Sequence, residues 1–216
     1  KKVLRDSRIK SAELLLKNLP RTHSIESFIT AAGINYYGSV TSENIYTEND
    51  SPGTDFLAEL SKDWELAATA FKGKVKRVVK LRTPAVISSN GGALPKIAQP
   101  IKMGFGAPLG SGKQYVPWVH IDDIISAYIF AIENTIDGAF NVVALEHLTN
   151  KTLTQKIANR LNKKLWLPNI PGFVLRLILG EKAIIVLEGS RANGSKISKQ
   201  GFEYKHQILD LSDFDL

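Results

Sequence analysis

The sequence predicts an α/β protein in which parallel strands are covered by helices. Three observations point there. Helical and strand-like periods alternate along the first two thirds of the chain, the pattern of helix-connected parallel strands. The strand segments end in or consist of apolar runs, as in valine-rich 75–82 (VKRVVKLR). With 216 residues, 44% hydrophobic and 23% charged, the chain can bury a core as one large or two small domains.

The elements follow in order. Residues 3–18 place Leu4, Ile9, Ala12, Leu15 and Leu16 at helical spacing, ending before Leu19-Pro20. Residues 24–31 (SIESFITA) alternate and then run apolar, predicting a strand, and Gly33 to Gly38 form a loop. Ser51-Pro52 supplies a capping hydroxyl and a first-position proline. The helix expected from it carries Phe56, Leu57, Leu60, Trp64, Ala67, Ala68 and Phe71 on one broad face. The strand 75–82 comes next, and residues 83–117 read as an irregular stretch punctuated by Gly and Pro. His120-Ile121-Asp122-Asp123 opens an apolar helix to about Glu133, and 139–144 (AFNVVA) is a further strand. Helices over 152–163 and 171–179 then flank a proline-rich turn, the second ending at Gly180, and a basic, polar tail closes the chain.

Bulk properties exclude several classes. The chain has no cysteine, so disulfides and thiolate chemistry are ruled out. Its greasiest stretch, 173–187, is broken by Arg176, Glu181 and Lys182 and is not a membrane span. The net charge of +7 is spread without a basic run interleaved with aromatics, which fits a solvated surface better than a nucleic-acid interface. The GSGK at 110–113 imitates a phosphate loop, but Ala107 stands where its first Gly belongs and Gln114 where its metal-binding hydroxyl belongs. The chain opens Lys1-Lys2 with Met103 as its single methionine, so the true start is expected to lie upstream.

The blocks ITAAGINYYG, DSPGTDFLAELSKDWE, LRTPAVISSNGGALPKI, GFGAPLGSGKQYVPWVHIDD and LILGEKAIIVLEGSR are similar, in order and spacing, to the epimerase-like branch of the extended short-chain dehydrogenase/reductases. Within that branch they resemble the nucleoside-diphosphate-sugar epimerase homologues sometimes labelled cell-division inhibitor homologues. The resemblance implies the C-terminal part of a Rossmann-type domain binding NADP or NAD, over residues 1–84 and 119–144. It implies a substrate domain over 85–118 and 145–216. It also implies a glycine-rich turn for the dinucleotide pyrophosphate, and no G-x-G-x-x-G occurs in this chain. About 80–90 residues are expected before Lys1, at roughly 30 residues per βα unit. Without them the 24–31 strand would bare a hydrogen-bonding edge, to be covered by the missing part or by association, a homo-oligomer included.

The superfamily's proton relay is a Tyr-x-x-x-Lys pair in which the lysine lowers the tyrosine pKa. None of the six tyrosines here has a Lys four residues later; Phe56 and Leu60 occupy that turn, with Lys62 the nearest cation. The position that is usually Ser is Ala32, leaving Thr30 as the nearest hydroxyl. Tyr36 and Tyr37 sit where Rossmann-type ligands bind. Either one ring faces substrate or nicotinamide, with Tyr37 the preferred proton donor, or both pack under a loop. Lys62 either replaces the lost lysine or lies on a solvated face.

From the resemblance, Arg8, Thr83, Pro84 and Val86 are expected at the cofactor, with an ordinary surface arginine as the rival for Arg8. Tyr36, Lys113, Gln114 and Trp118 are expected at the substrate. Val116 stands where sugar-nucleotide epimerases carry a diphosphate-binding Arg, which argues against a nucleotide-sugar substrate. Asp122 and Asp123 are expected to complement a helix N-terminus. His120 is expected as a structural histidine, and His23, His147 and His206 show no metal spacing. The leading function is thus NAD(P)-linked oxidoreduction or epimerisation of a small hydroxy or carbonyl compound, with the cytoplasm as the expected setting. The alternative is a cofactor-binding regulatory protein without turnover, and a nucleic-acid module is the most distant reading. Turnover on a carbonyl panel, and salt-dependent retention on DNA, separate the three.

Overall fold

The computed structural model describes residues 1–20 and 24–215. Helix α1 (Lys2–Lys17) leads into strand β1 (Ser27–Gly33), and Ile34–Tyr37 forms a single 3-10 turn. The chain continues through β2 (Ile45–Tyr46), α2 (Phe56–Thr69), β3 (Arg77–Thr83), β4 (Ala85–Ser88), β5 (Gly91–Gly92) and α3 (Ala93–Lys102). Next come β6 (Trp118–His120), α4 (Ile121–Glu133), β7 (Gly138–Asn141), α5 (Asn150–Arg160) and α6 (Gly172–Leu179). The short elements α7 (Ile184–Leu187), β8 (Arg191–Ala192) and α8 (Ser195–Ser198) complete the order, followed by a 3-10 turn at Leu211–Asp213.

The three strands anticipated from apolar runs are parallel neighbours in the order β1-β3-β7. Phe28 lies opposite Val78, and Leu81 opposite Phe140. Parallel pairing requires crossovers, which α2 and α4 supply. One side of this sheet packs Val79, Leu81 and Phe140 with Val119, Ile124 and Ala127. On the other side Ala12 of α1 joins Ala68, Phe71 and Val78, and the Phe28 and Phe71 rings stack with centroids 3.7 Å apart. Among the described residues no strand pairs with the second edge of β1.

Four expectations need correction. Helix α2 begins at Phe56, not after Ser51-Pro52, because Asp55 caps it: one carboxylate oxygen accepts from the Leu57 and Ala58 amides at 2.8 and 3.0 Å. Upstream, Gly53 donates to the Tyr36 carbonyl and passes so near Gly38 that a Cβ would stand 2.7 Å from its Cα, so 51–55 cannot coil.

The stretch 83–117 is not irregular throughout. It contains α3, whose Leu94, Ala98 and Ile101 are buried at helical spacing. Pro95 falls in the first turn, where its missing N–H has no intrahelical partner, and Pro100 in the last turn gives up one bond, so prolines masked a helix that forms despite them.

The third correction concerns the tail, which is packed rather than merely polar. Ile197, Phe202 and Tyr204 join the sheet core, while Leu209, Leu211 and Phe214 join a second core with Ile87, Leu94, Trp118, Leu153 and Ile157. The last is Asp123. It is fully buried, and its carboxylate accepts from the Lys205 and His206 amides at 2.8 and 3.0 Å, pinning the tail to α4. The cap of α4 is the His120 side chain, accepting from the Asp122 amide.

Beyond β7 the chain stays extended: the Val142 amide donates to the Arg82 carbonyl and the Ala144 amide to the Trp118 carbonyl. This run joins the main sheet to the smaller one, where β4 pairs in parallel with β6. The carboxyl ends of β1, β3 and β7 therefore open toward the segments that carry β2, β8 and the 108–117 loop.

Candidate functional site

At those carboxyl ends lies a buried polar network. Arg82, next to last in β3, donates to both carboxylate oxygens of Glu65 on α2, at 2.6 and 3.1 Å. Its remaining nitrogen donates to the Tyr37 hydroxyl at 2.7 Å, and Tyr37 donates onward to Asn141 Oδ1 at 2.8 Å. The Asn141 amide group donates to the Asn193 carbonyl, so the chain of bonds reaches the tail. Lys80 Nζ stands 3.7 Å from Glu65 as a second cation. Each buried polar group here has a partner, which is what makes a charged cluster tolerable in a core.

Burial raises the Tyr37 pKa to about 12, with the Arg82 charge and the two hydrogen bonds pulling the other way. At 2% exposure the ring also stacks on Tyr46 at 5.1 Å. Tyr36 differs. Its ring lies 3.6 Å from the Arg82 guanidinium carbon, it is half-buried, and its hydroxyl makes no hydrogen bond among the described residues.

The other anticipated residues are placed as follows. Thr30 donates its hydroxyl to the Ala31 carbonyl, and Lys62 is exposed on α2. The Arg8 guanidinium rests 4.9 Å from the Trp64 ring and donates to the Leu4 carbonyl of its own helix. Thr83 donates to the Leu81 carbonyl, Pro84 is buried between β3 and β4, and Val86 is half-buried. Lys113 is exposed. Gln114 is 1% exposed, and its amide donates to the Leu109 and Val186 carbonyls, so it ties the glycine loop to α7. Trp118 is equally buried and donates to the Glu146 carbonyl. Both are engaged inside the protein, away from open space.

The structure also assembles groups that the linear sequence kept apart. His120, Asp122 and His206 offer ligand atoms within 4.8 Å of one another. The two imidazoles stack at 3.7 Å with 21° between planes, so their in-plane lone pairs run side by side instead of converging, and His120 Nδ1 already accepts from Asp122. His23 lies outside the described residues. A second cluster brings Arg191 of β8 to Tyr115, Glu43 and His147. No sequence motif gives a role to the side chains of Arg82 and Glu65, and Glu65 is the less conspicuous of the two. Its signal was a carboxylate flanked by Trp64 and Ala67 on an apolar helix face.

Comparison with known proteins identifies relatives of the chain as a whole. A family described as "Domain of unknown function (DUF1731)" matches residues 170–211. The Arabidopsis thaliana protein named "Epimerase family protein SDR39U1 homolog, chloroplastic" is 34% identical over 97% of this chain, which spans 60% of that protein's length. The mouse "Epimerase family protein SDR39U1" is 35% identical over 94% of this chain and 70% of its own. The chain belongs to the SDR39U1 epimerase family. The human SDR39U1 protein, whose crystal structure was determined with NADPH, superposes with a TM-score of 0.82 at 26% identity, over 96% of this chain and 72% of that one. The parallel sheet of this SDR39U1-family chain is therefore Rossmann-type, as the strand order indicated. No helix among the described residues is long and apolar enough to cross a membrane.

Proposed function

We propose that this chain is the nicotinamide- and substrate-facing part of an NADP(H)-dependent, epimerase-like oxidoreductase acting on a small hydroxy or carbonyl compound. The observation that carries the reading is the parallel β1-β3-β7 sheet with Tyr36, Arg82 and Thr83 at its carboxyl ends, where dinucleotides and their substrates bind in open α/β sheets. The NADPH in the structure of the human relative supports the choice of cofactor. The residues present fit the nicotinamide end of such a group: Ala31, Ala32 and Gly33 keep the end of β1 small. No G-x-G-x-x-G occurs in the sequence, so this reading assigns none of these residues to the pyrophosphate. In this reading residues 1–84 and 119–144 serve the cofactor, and 85–118 with 145–216 the substrate.

The bound cofactor supplies hydride chemistry; the chain must bind and orient the substrate and supply a proton to its oxygen. Tyr36 suits the proton role better than Tyr37, whose hydroxyl is buried and held by Arg82 and Asn141. Tyr37 then acts as a positioning residue.

A second reading, cofactor binding without turnover, is favoured by one specific observation. Phe56 and Leu60 fill the turn of the usual Tyr and Lys, and Lys62 points to solvent. The test is NADPH titration of the full-length protein by fluorescence, followed by hydride transfer across a carbonyl panel. Binding with turnover supports the first reading and binding alone the second. No binding of NADPH overturns both.

A further inference from the structure

Arg191 presents an unusual set of partners. Its side chain is 15% exposed, yet its carboxylate partner, Glu43, is 84% exposed. The pair meets at 2.9 Å through Nη2, and the same Nη2 also donates to the Glu43 backbone carbonyl. The Arg191 Nε is buried with no hydrogen-bond partner among the described residues. A guanidinium binds an oxyanion best side-on, Nε and Nη2 each donating to one oxygen. Glu43 takes half of that fork and leaves the other half desolvated and unsatisfied, which is costly for a buried donor.

The surroundings are built rather than incidental. Gly189 passes so close to Tyr115 that a Cβ would lie 1.8 Å from the Tyr115 carbonyl oxygen. That contact locks β8 to the 108–117 loop and sets the Arg191 guanidinium 4.7 Å from the Tyr115 ring. The Tyr115 hydroxyl donates to both Glu43 oxygens at 3.0 Å, so it too is aimed at a carboxylate. His147 is near enough that burial, aided by the Arg191 charge, lowers its pKa below the ordinary value. The cluster adjoins the strand ends. Ser190 donates to the Gly38 carbonyl at 2.8 Å, and Ala192 packs in the cluster of Tyr36, Tyr37 and Tyr46.

We propose that Arg191, with Tyr115, anchors a single oxyanion of the substrate, a carboxylate or a monophosphate, and that Glu43 is the internal carboxylate holding that place until substrate arrives. Val116, the residue after Tyr115, carries no charge, so the cation at this place comes from β8 instead. One guanidinium matches one oxyanion, not a diphosphate. The inference rests on the reading that substrate sits at the carboxyl ends of β1 and β3, but its test does not depend on turnover.

The test uses full-length protein and titrates malonate, inorganic phosphate and pyrophosphate at constant ionic strength. The readouts are the Arg191 Nε–H resonance by NMR and the melting temperature. Removing the internal competitor in Glu43→Gln is expected to tighten malonate or phosphate binding about tenfold, equivalent to roughly 1.4 kcal/mol. The Nε–H signal should shift on binding, and adding Arg191→Gln should abolish the effect. Whether malonate or phosphate responds distinguishes the two sources of the oxyanion. If Glu43→Gln merely lowers the melting temperature and binds no anion more tightly, the pair is only a strap and the proposal falls. Pyrophosphate binding far tighter than phosphate would overturn the single-oxyanion assignment. NADPH binding, measured in the same samples, reports separately on the cofactor reading.

Discussion

Arg82 and Glu65 form a two-bond ion pair, at 2.6 and 3.1 Å, between the end of a central strand and the helix that crosses over it. Both side chains are nearly inaccessible, at 3% and 8% exposure. Because desolvating two charges is expensive, such a pair contributes position more than net stability, and its danger lies in losing one member. Glu65→Leu strands the Arg82 charge and is expected to cost about 3–5 kcal/mol, measured by urea unfolding. A loss under 1 kcal/mol would show that water or Lys80 can relieve the charge.

The two adjacent tyrosines should separate cleanly. Tyr37→Phe removes one acceptor from Arg82 and one donor to Asn141, and should cost about 1–3 kcal/mol of stability. Tyr36→Phe removes a hydroxyl with no partner among the described residues and should leave stability within about 0.5 kcal/mol. If the protein turns over a carbonyl substrate, Tyr36→Phe lowers kcat while NADPH affinity is kept. Stability losses in the reverse order would refute the assignment of Tyr37 to the interior network.

His120 gives the protein an acid-sensitive helix start. Burial first, then the neighbouring His206, lowers its pKa below the ordinary 6.5, against the pull of Asp122, Asp123 and Asp213. The folded state therefore binds this proton less tightly than the unfolded state does. The stability from the neutral cap is complete above about pH 6.5 and is lost as pH falls toward the depressed folded value. Melting temperature should drop more steeply between pH 7 and pH 5 in the native protein than in His120→Asn, which caps without titrating. Parallel slopes would assign the acid response to other groups.

Gly189→Ala tests the crossing beneath Arg191. A Cβ would sit 1.8 Å from a backbone oxygen, which no side-chain rotation relieves. The expected cost is at least about 2 kcal/mol, as for other forced backbone clashes. A mild effect on melting would mean that the two segments can separate.

Much of the architecture was legible in the sequence because it rests on local periodicity. The apolar runs at 24–31, 75–82 and 139–144 became parallel neighbours, with bounds shifted by a few residues. Where local signals competed, reading failed. Ser51-Pro52 resembles a helix start, but the Gly53–Gly38 approach keeps 51–55 from coiling and the helix begins after Asp55. Two prolines concealed α3 although its buried Leu94, Ala98 and Ile101 kept helical spacing.

By itself, the sequence determined the α/β class, the order of the main strands and helices, and the loss of the Tyr-x-x-x-Lys pair, since each depends on residues near one another in the chain. Only the tertiary structure decided which polar side chains meet. Arg82 finds Tyr37 across 45 residues and Arg191 finds Glu43 across 148. No period in the chain records such pairings, because they are chosen by the packing that brings strand ends and tail together and by the cost of leaving a buried charge alone.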